Sequence, residues 1–180
     1  DPLTQRLFVG IRVGTPPDFI IKMKEARPDF DWVLPENYHL TMAFIGRLRR
    51  SQKEILLYAL SNIDFTSFKL SFRSLDAFDS KANPSVLWLA PEHSPELMKI
   101  TEKIREVILA LGIPLEFKDF TPHWTIARTR GCVIDGNELA SFYECEFRSD
   151  VEVQQLILFE GQGGKKIYQE ELSILANDLK

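Results

Sequence analysis

Two short stretches of this chain place a histidine, a threonine and an alanine at alternate positions. They read His39-Leu40-Thr41-Met42-Ala43 and His123-Trp124-Thr125-Ile126-Ala127. Because successive side chains of a β-strand point to opposite faces, each stretch predicts a strand with an imidazole, a hydroxyl and a small Ala on one face. The residues between them are apolar, which predicts that the other face is packed. Each strand would therefore offer an acid–base group and a hydrogen-bond donor, and the Ala would leave room for a ligand.

A pair of histidines suits in-line displacement at phosphorus. One imidazole can remove a proton from the attacking water while the other protonates the departing oxygen, because imidazole titrates near neutral pH. The hydroxyls of Thr41 and Thr125 can donate hydrogen bonds to the non-bridging phosphate oxygens. A metal site is the rival use of two histidines, but neither stretch has an acidic residue or another His at ligand spacing. The sequence therefore predicts no metal and no cofactor.

The composition predicts one domain over residues 1–180 with a sizeable core, since 44% of the residues are hydrophobic and 13 are Phe. The net charge of −4 argues against a surface that binds long duplex nucleic acid, which normally needs a basic face. A short nucleotide in a cleft is compatible with this charge. Cys132 and Cys145 are too few for a disulfide scaffold, and no run is apolar and long enough to span a membrane. We expect a cytoplasmic monomer.

The elements that must position the two stretches follow from the periodicity of the apolar residues. Strands are predicted at 6–13, 30–34, 38–45, 65–72, 86–89, 151–159 and 167–175, with a further strand at the second stretch. Helices are predicted at 19–26, from a capping box at Ser51, from an N-cap at Ser94, and at 137–143. Residues 75–84 are predicted to form turns. Strands that pair with near neighbours and carry interspersed helices predict an α+β fold.

The two histidines lie 84 positions apart, close to half the chain, which indicates an internal duplication. Approximate two-fold symmetry would bring the two strands together across a central cleft, with one His from each. Strict alternation would place Phe44 on the packed face. It would also point Arg128 away from His123, unless the strand twists or ends there.

With these segments in place, the chain resembles the two-histidine phosphoesterase superfamily, and within it the RNA 2′,3′-cyclic phosphodiesterase group, also called 2′-5′ RNA ligase. The resemblance covers most of the chain. It includes the first strand RLFVGIRV, the first motif HLTMAFIG with its lead-in, the middle segment VLWL and the second motif FTPHWTIAR. The closing strand pair with Tyr168 also resembles the C-terminal hairpin of that group.

The resemblance implies a bilobed fold of two antiparallel sheets with helices outside, a central cleft and no metal requirement. It implies an RNA-processing hydrolase that opens 2′,3′-cyclic phosphates at RNA 3′ ends or on nucleosides to 2′-phosphomonoesters, with reversible 2′-5′ ligation as a further activity. His39 is assigned as the acid for the leaving 3′ oxygen and His123 as the base. Thr41 and Thr125 would hold the phosphate, and Arg128 matches the family's Arg five places after the second His, where it would bind the substrate.

Two other hypotheses about the function remain open. The chain could be a relative that acts on another small cyclic phosphate, such as a cyclic ADP-ribose phosphate. It could also be a non-catalytic nucleotide-binding module that has kept the cleft. The acidic composition keeps the first of these open, whereas the intact His and Thr in both motifs disfavour the second.

Overall fold

The computed structural model describes residues 1–116 and 119–180, and these form nine strands and four α-helices. The strands are β1 (Leu7–Arg12), β2 (Asp31–Trp32), β3 (His39–Gly46), β4 (Phe68–Asp79), β5 (Pro84–Pro91), β6 (Trp124–Arg128), β7 (Ser149–Val153), β8 (Gln155–Glu160) and β9 (Gln169–Leu175). The helices are α1 (Asp18–Ala26), α2 (Arg50–Ser61), α3 (Pro95–Ala110) and α4 (Gly136–Tyr143). Short 3-10 helices cover Pro35–Asn37 and Asn177–Leu179.

The strands form two antiparallel sheets that repeat one arrangement. The four-stranded sheet has the order β3-β1-β8-β9, and the five-stranded sheet has the order β2-β6-β5-β4-β7. Apart from β2, the two orders correspond strand for strand, with β3 matching β6 and β1 matching β5. The two motif strands β3 and β6 are in contact with each other. The predicted α+β fold with two antiparallel sheets is confirmed.

The core lies beneath these sheets, and the helices cover it with one apolar face each. α3 buries Leu97, Ile100 and Ile104, which follow the spacing of a helical face. Its N-cap is Ser94, as predicted, and the Ser94 hydroxyl accepts a hydrogen bond from the Leu97 amide at 3.1 Å. Within the described part of the chain, no helix is long and apolar enough to cross a membrane.

Three of the predicted local boundaries are wrong. α2 begins at Arg50, with Arg49 as the N-cap whose amide donates to Gln52 Oε1, whereas Ser51 donates to Asp1. The turns expected over 75–84 are confined to residues 80–83, because residues 75–79 form the second part of β4, which pairs with β5 in a hairpin. The expected strand 151–159 is two strands, β7 and β8, which belong to different sheets. The two strand boundaries depend on pairing with other strands, whereas the start of α2 depends on the local contact between Arg49 and Gln52.

Both motif strands contain a β-bulge at the same place. Opposite β3, Val9 pairs with Ala43 but the next residue, Gly10, pairs with Thr41, so that Met42 has no partner. Opposite β6, Leu87 pairs with Ala127 and Trp88 with Thr125, so that Ile126 has no partner. A bulge changes which face the following side chains occupy.

Gly10 is required where β1 passes the first bulge. A Cβ at this position would lie 2.5 Å from the carbonyl oxygen of Leu40, which is closer than real Cβ contacts. The mid-strand glycine thus marks a close approach of two backbones.

Candidate functional site

A cavity of about 530 Å³ lies between the two sheets and is lined from both of them. All five candidate residues from the sequence line this cavity: His39, Thr41, His123, Thr125 and Arg128. β3 supplies the first two, the loop before β6 supplies His123, and β6 supplies the last two. The fold therefore brings together the residues of two motifs that are far apart in the sequence.

The His39 imidazole is held at both of its nitrogens. Its Nδ1 lies 2.6 Å from the carbonyl oxygen of Asn37, and its Nε2 lies 3.0 Å from Thr41 Oγ1. Because a carbonyl oxygen can only accept, Nδ1 carries the proton of the neutral ring, and Nε2 accepts from the Thr41 hydroxyl. The reactive lone pair of His39 is therefore on Nε2. The ring is also packed against Phe8, with a centroid distance of 4.9 Å.

The His123 imidazole has the same tautomer but different neighbours. Its Nδ1 lies 2.7 Å from the carbonyl oxygen of Thr121, which leaves Nε2 as the free nitrogen of the neutral ring. Phe78 and Trp88 pack edge-on against this ring, at centroid distances of 4.9 and 5.7 Å. Among the described residues, the Thr125 hydroxyl makes no hydrogen bond to His123 or to any other group. His123 is therefore oriented at one nitrogen only.

Burial lowers the pKa of both imidazoles below the usual value for histidine. For His39, burial is the main cause, the hydrogen bond to Asn37 opposes it, and the charges of His123, Arg12 and Arg128 lower the pKa further. For His123, burial again acts most strongly, the hydrogen bond to Thr121 opposes it, and Arg128 lowers the pKa further. Both rings are therefore favoured in the neutral form while the cavity holds no anion.

The bulges place the residue five positions after each His on the cavity. Phe44 and Arg128 both line it, although strict alternation assigned both to the opposite face. Phe44 is 54% exposed, so the prediction that it belongs to the core is wrong. Ala43 and Ala127 are buried instead of facing the ligand, for the same reason. The two motifs thus present His-x-Thr followed by an aromatic ring in one copy and a guanidinium in the other.

Several residues that line the cavity were not predicted from the sequence. Arg6 and Arg130 are two of them, and Arg130 donates to Asp31 Oδ2 at 2.8 Å. Asn37 and Tyr168 lie on the side of the loop formed by residues 161–168. The sequence signal for this loop was its three glycines, Gly161, Gly163 and Gly164, all of which adopt positive φ.

The cavity carries a net positive charge in an acidic chain. Arg6, Arg128 and Arg130 line it together with one carboxylate, that of Asp31, while the chain as a whole has a net charge of −4. Within residues 1–116 and 119–180, no group of three His, Cys, Asp or Glu side chains is placed to hold a metal ion. The charged groups of the cavity are thus suited to an anionic ligand.

Comparisons with known proteins agree with this arrangement. Residues 20–88 match the family described as LigT like Phosphoesterase. A protein of Archaeoglobus fulgidus named RNA 2′,3′-cyclic phosphodiesterase is 29% identical over 126 residues, which are 70% of this chain and 71% of that protein. One of the same name from Thermotoga maritima is 35% identical over 101 residues, or 55% of this chain and 54% of that protein. The latter alignment spans about half the length of the relative.

Solved structures share the fold. The crystal structure of E. coli LigT complexed with 3′-AMP superposes with a TM-score of 0.71 at 20% identity, covering 97% of this chain and 99% of that chain. The same protein complexed with NADP+ gives a TM-score of 0.71, also at 20% identity, covering 96% of this chain and 98% of that one. At this identity the likeness establishes the architecture, with its two sheets and the space between them.

Proposed function

We propose that this chain, which is similar to the LigT-like phosphoesterases and to proteins named RNA 2′,3′-cyclic phosphodiesterase, opens the 2′,3′-cyclic phosphate of a nucleotide or RNA 3′ end to a 2′-phosphomonoester. The observation that carries the proposal is the pair of imidazoles on one cavity, each with Nδ1 bound to a carbonyl, so that the lone pair of the neutral ring lies on Nε2. In this proposal residues 1–180 act as one bilobed domain, since both sheets line the cavity.

The proposed reaction needs one neutral and one protonated imidazole. Nε2 of His123 takes a proton from water, the water oxygen forms a bond to phosphorus, and the bond between phosphorus and the 3′ oxygen breaks. Nε2 of His39 donates its proton to that oxygen, which leaves as the 3′ hydroxyl. Two proton transfers by positioned groups are each typically worth 10²–10⁴-fold in rate. Binding of the anionic phosphate raises the pKa of both imidazoles, which supplies the protonated acid that burial alone disfavours.

The phosphate oxygens are proposed to bind Thr41, Thr125 and Arg128. The Thr125 hydroxyl has no partner among the described residues and is ready to donate. The Thr41 hydroxyl donates to His39 in the free protein; once His39 is protonated at Nε2, this hydroxyl can turn its proton to the phosphate. Donors that are already oriented towards the developing charge stabilise the transition state.

The proposed partner is a nucleotide or the 3′ end of an RNA. The volume of about 530 Å³ suits a nucleotide-sized ligand, and the arginines suit its phosphates. The nucleotides named in the E. coli LigT structures are consistent with such a ligand. Ligation would use the same bonds, with the 5′ hydroxyl of a second RNA in place of water, and would join 2′ to 5′.

The test is incubation with the four nucleoside 2′,3′-cyclic phosphates and with a short RNA that ends in one, followed by phosphorus NMR. We expect conversion to 2′-phosphate, unchanged by EDTA. Formation of a 3′-phosphate would contradict the assigned leaving group. Turnover of a cyclic ADP-ribose phosphate alone would favour an enzyme that acts on another small cyclic phosphate, and binding without turnover of any cyclic phosphate would favour the non-catalytic module. A product with a new phosphodiester, formed when an RNA with a 5′ hydroxyl is added, would show ligation.

A further inference from the structure

Asn37 is a buried polar residue that contacts two parts of the candidate site at once. It ends the 3-10 helix Pro35–Asn37, two positions before His39, and is only 3% exposed. Its side-chain amide makes two hydrogen bonds to the loop of residues 161–168. Nδ2 donates to the carbonyl oxygen of Lys166 at 2.8 Å, and Oδ1 accepts from the amide of Tyr168 at 3.0 Å.

The main chain of the same residue orients the catalytic imidazole. The Asn37 carbonyl oxygen lies 2.6 Å from Nδ1 of His39, and this contact fixes both the tautomer and the ring plane. A displacement of Asn37 would therefore move the loop and the imidazole together. The equivalent carbonyl on the other sheet belongs to Thr121, whose side chain makes no hydrogen bond among the described residues. Among the residues that the structure describes, His39 is thus connected to a loop through a side chain and His123 is not.

The loop forms one wall of the cavity and covers His39. The ring of Tyr168 lies edge-on to the His39 ring, with a centroid distance of 5.4 Å and an interplanar angle of 85°. It also packs on Phe8 at 4.8 Å. The loop leaves little space around this ring, because a Cβ on Gly163 would lie 2.3 Å from the Tyr168 hydroxyl oxygen. The position of Tyr168 therefore depends on the backbone of the loop as well as on Asn37.

We propose that Asn37 is a positioning residue that couples closure of the 161–168 loop to the orientation of His39. Its catalytic consequence rests on the function proposed above, whereas the coupling itself is a property of the free protein. When the two side-chain hydrogen bonds are present, Tyr168 covers the imidazole and the Asn37 carbonyl holds Nδ1. When they are absent, the loop moves away and water reaches the ring.

The solvation of His39 reports this coupling. The titratable and charged groups that act on His39 are Arg12 from β1, His123 and Arg128 from the second motif, and Tyr168 from the loop. Burial lowers the His39 pKa more than these charges do. Opening of the loop would therefore raise the pKa of His39 towards the ordinary histidine value. It would not raise that of His123, since His123 packs on Phe78 and Trp88 instead and a charged His39 can only lower it.

The first test is an NMR titration of the imidazole protons in the wild type and in Asn37→Ala, without substrate. We expect the pKa of His39 to rise and that of His123 not to rise. The matched control is Ser94→Ala, which removes another buried side chain that bonds a main-chain amide, at the start of α3. This control should lower the melting temperature without changing the pKa of either imidazole. An unchanged His39 titration in folded Asn37→Ala would overturn the proposal, as would an equal rise in the control.

A second variant reaches the same loop without changing Asn37. Gly163→Ala adds a Cβ where Tyr168 lies and strains a residue with a φ of +71°. It should raise the His39 pKa in the same direction, and it decides the matter if Asn37→Ala does not fold. A normal His39 titration in Gly163→Ala would mean that the loop does not control the solvation of this ring.

Kinetics then connect the coupling to the reaction. Asn37→Ala should lower kcat/KM by about tenfold or more, because small errors in the position of a catalytic group are costly. The limb of the pH profile that belongs to His39 should move to higher pH, a change that a merely destabilised protein would not show. If the wild type hydrolyses no cyclic phosphate, the NMR result still stands, so failure of the coupling and failure of the proposed function can be told apart.

Discussion

The His39 half and the His123 half of the cavity begin from nearly the same sequence but have different surroundings. Both strands carry the same bulge, and both imidazoles donate Nδ1–H to a carbonyl two residues earlier. His39 is covered by a loop and bonds Thr41, whereas His123 packs on two aromatic rings of its own sheet and leaves Thr125 unbonded. Repeated motifs thus fix the chemistry of the groups, while the elements around each copy decide how they differ.

This difference is consistent with separate roles for the two rings. An acid that is covered and held at both nitrogens can keep its proton directed at one oxygen. A base that is held at one nitrogen has its other nitrogen open to water. The assignment of His39 as acid and His123 as base follows the family resemblance, and the surroundings of the two rings provide a way to test it.

The largest effect is expected from removing either imidazole. His39→Gln and His123→Gln should each lower kcat/KM by about 10²–10⁴-fold, because each removes one proton transfer. His93→Gln is the matched control, since His93 is exposed and lies outside the cavity. Retention of more than about a tenth of the activity in either variant would contradict its role.

The residual activity of these variants distinguishes the acid from the base. If His123 is the base, His123→Gln should flatten the acidic limb of the pH profile, and His39→Gln should flatten the alkaline limb. Because burial lowers both pKa values, the wild-type optimum of kcat/KM should lie on the acidic side of about 6.5. The optimum of kcat should lie higher, since the bound phosphate raises both values. The reverse pattern of limbs would exchange the two roles.

A smaller effect is expected at the position five residues after each His. Arg128→Gln removes a cation from the cavity and should raise KM by about tenfold, because hydrogen bonds to charged groups are the stronger ones. Phe44→Leu removes no charge and should raise KM less. The Arg128 effect should shrink in high salt, whereas the Phe44 effect should not. Equal, salt-independent effects of the two variants would contradict an electrostatic role for Arg128.

The smallest effect concerns stability. Both imidazoles have a lower pKa in the folded chain than in the unfolded one, so the unfolded chain binds more protons below about pH 6.5. The free energy of unfolding should therefore fall as the pH drops from about 7 to 5, by up to about 1.4 kcal/mol for each unit of pKa difference. In urea unfolding experiments, the free energy of unfolding of the double variant His39→Gln/His123→Gln should fall less over this pH range than that of the wild type. The same dependence of the unfolding free energy on pH in both proteins would mean that folding does not lower the pKa of the imidazoles.

The grouping of the two motifs on one cavity could be predicted from the sequence, because it depends on local patterns. His39, Thr41, His123 and Thr125 stand at strand spacing with apolar residues between them, and this alternation survives up to each Thr. The α+β fold follows from the same periodicity, and the N-cap at Ser94 was visible from its own neighbours.

The remaining features depend on partners that are distant in the sequence. The bulge beside Thr41 arises from pairing with Gly10, so Phe44 could not be assigned to the cavity from its own strand. The hydrogen bond from Asn37 to Lys166 spans 129 positions, and nothing near Asn37 indicates it. In contrast, the regular alternation of the strand already indicated that Arg128 would reach the ligand only if the strand departed from regular geometry. The bulge in β6 provides this departure.

The composition of the four-stranded sheet has a consequence for how the chain folds. β1 pairs with β8, where Leu7 lies opposite Glu160, so this sheet closes a loop of more than 150 residues. The five-stranded sheet draws only on residues between Asp31 and Val153. Closing a long loop costs entropy before its contacts form, and such pairings are slow. During synthesis on the ribosome, the edge of β1 that pairs with β8 therefore stays unpaired until β8 has been made. A chain that ends before residue 155 would keep this edge exposed and would be prone to aggregation.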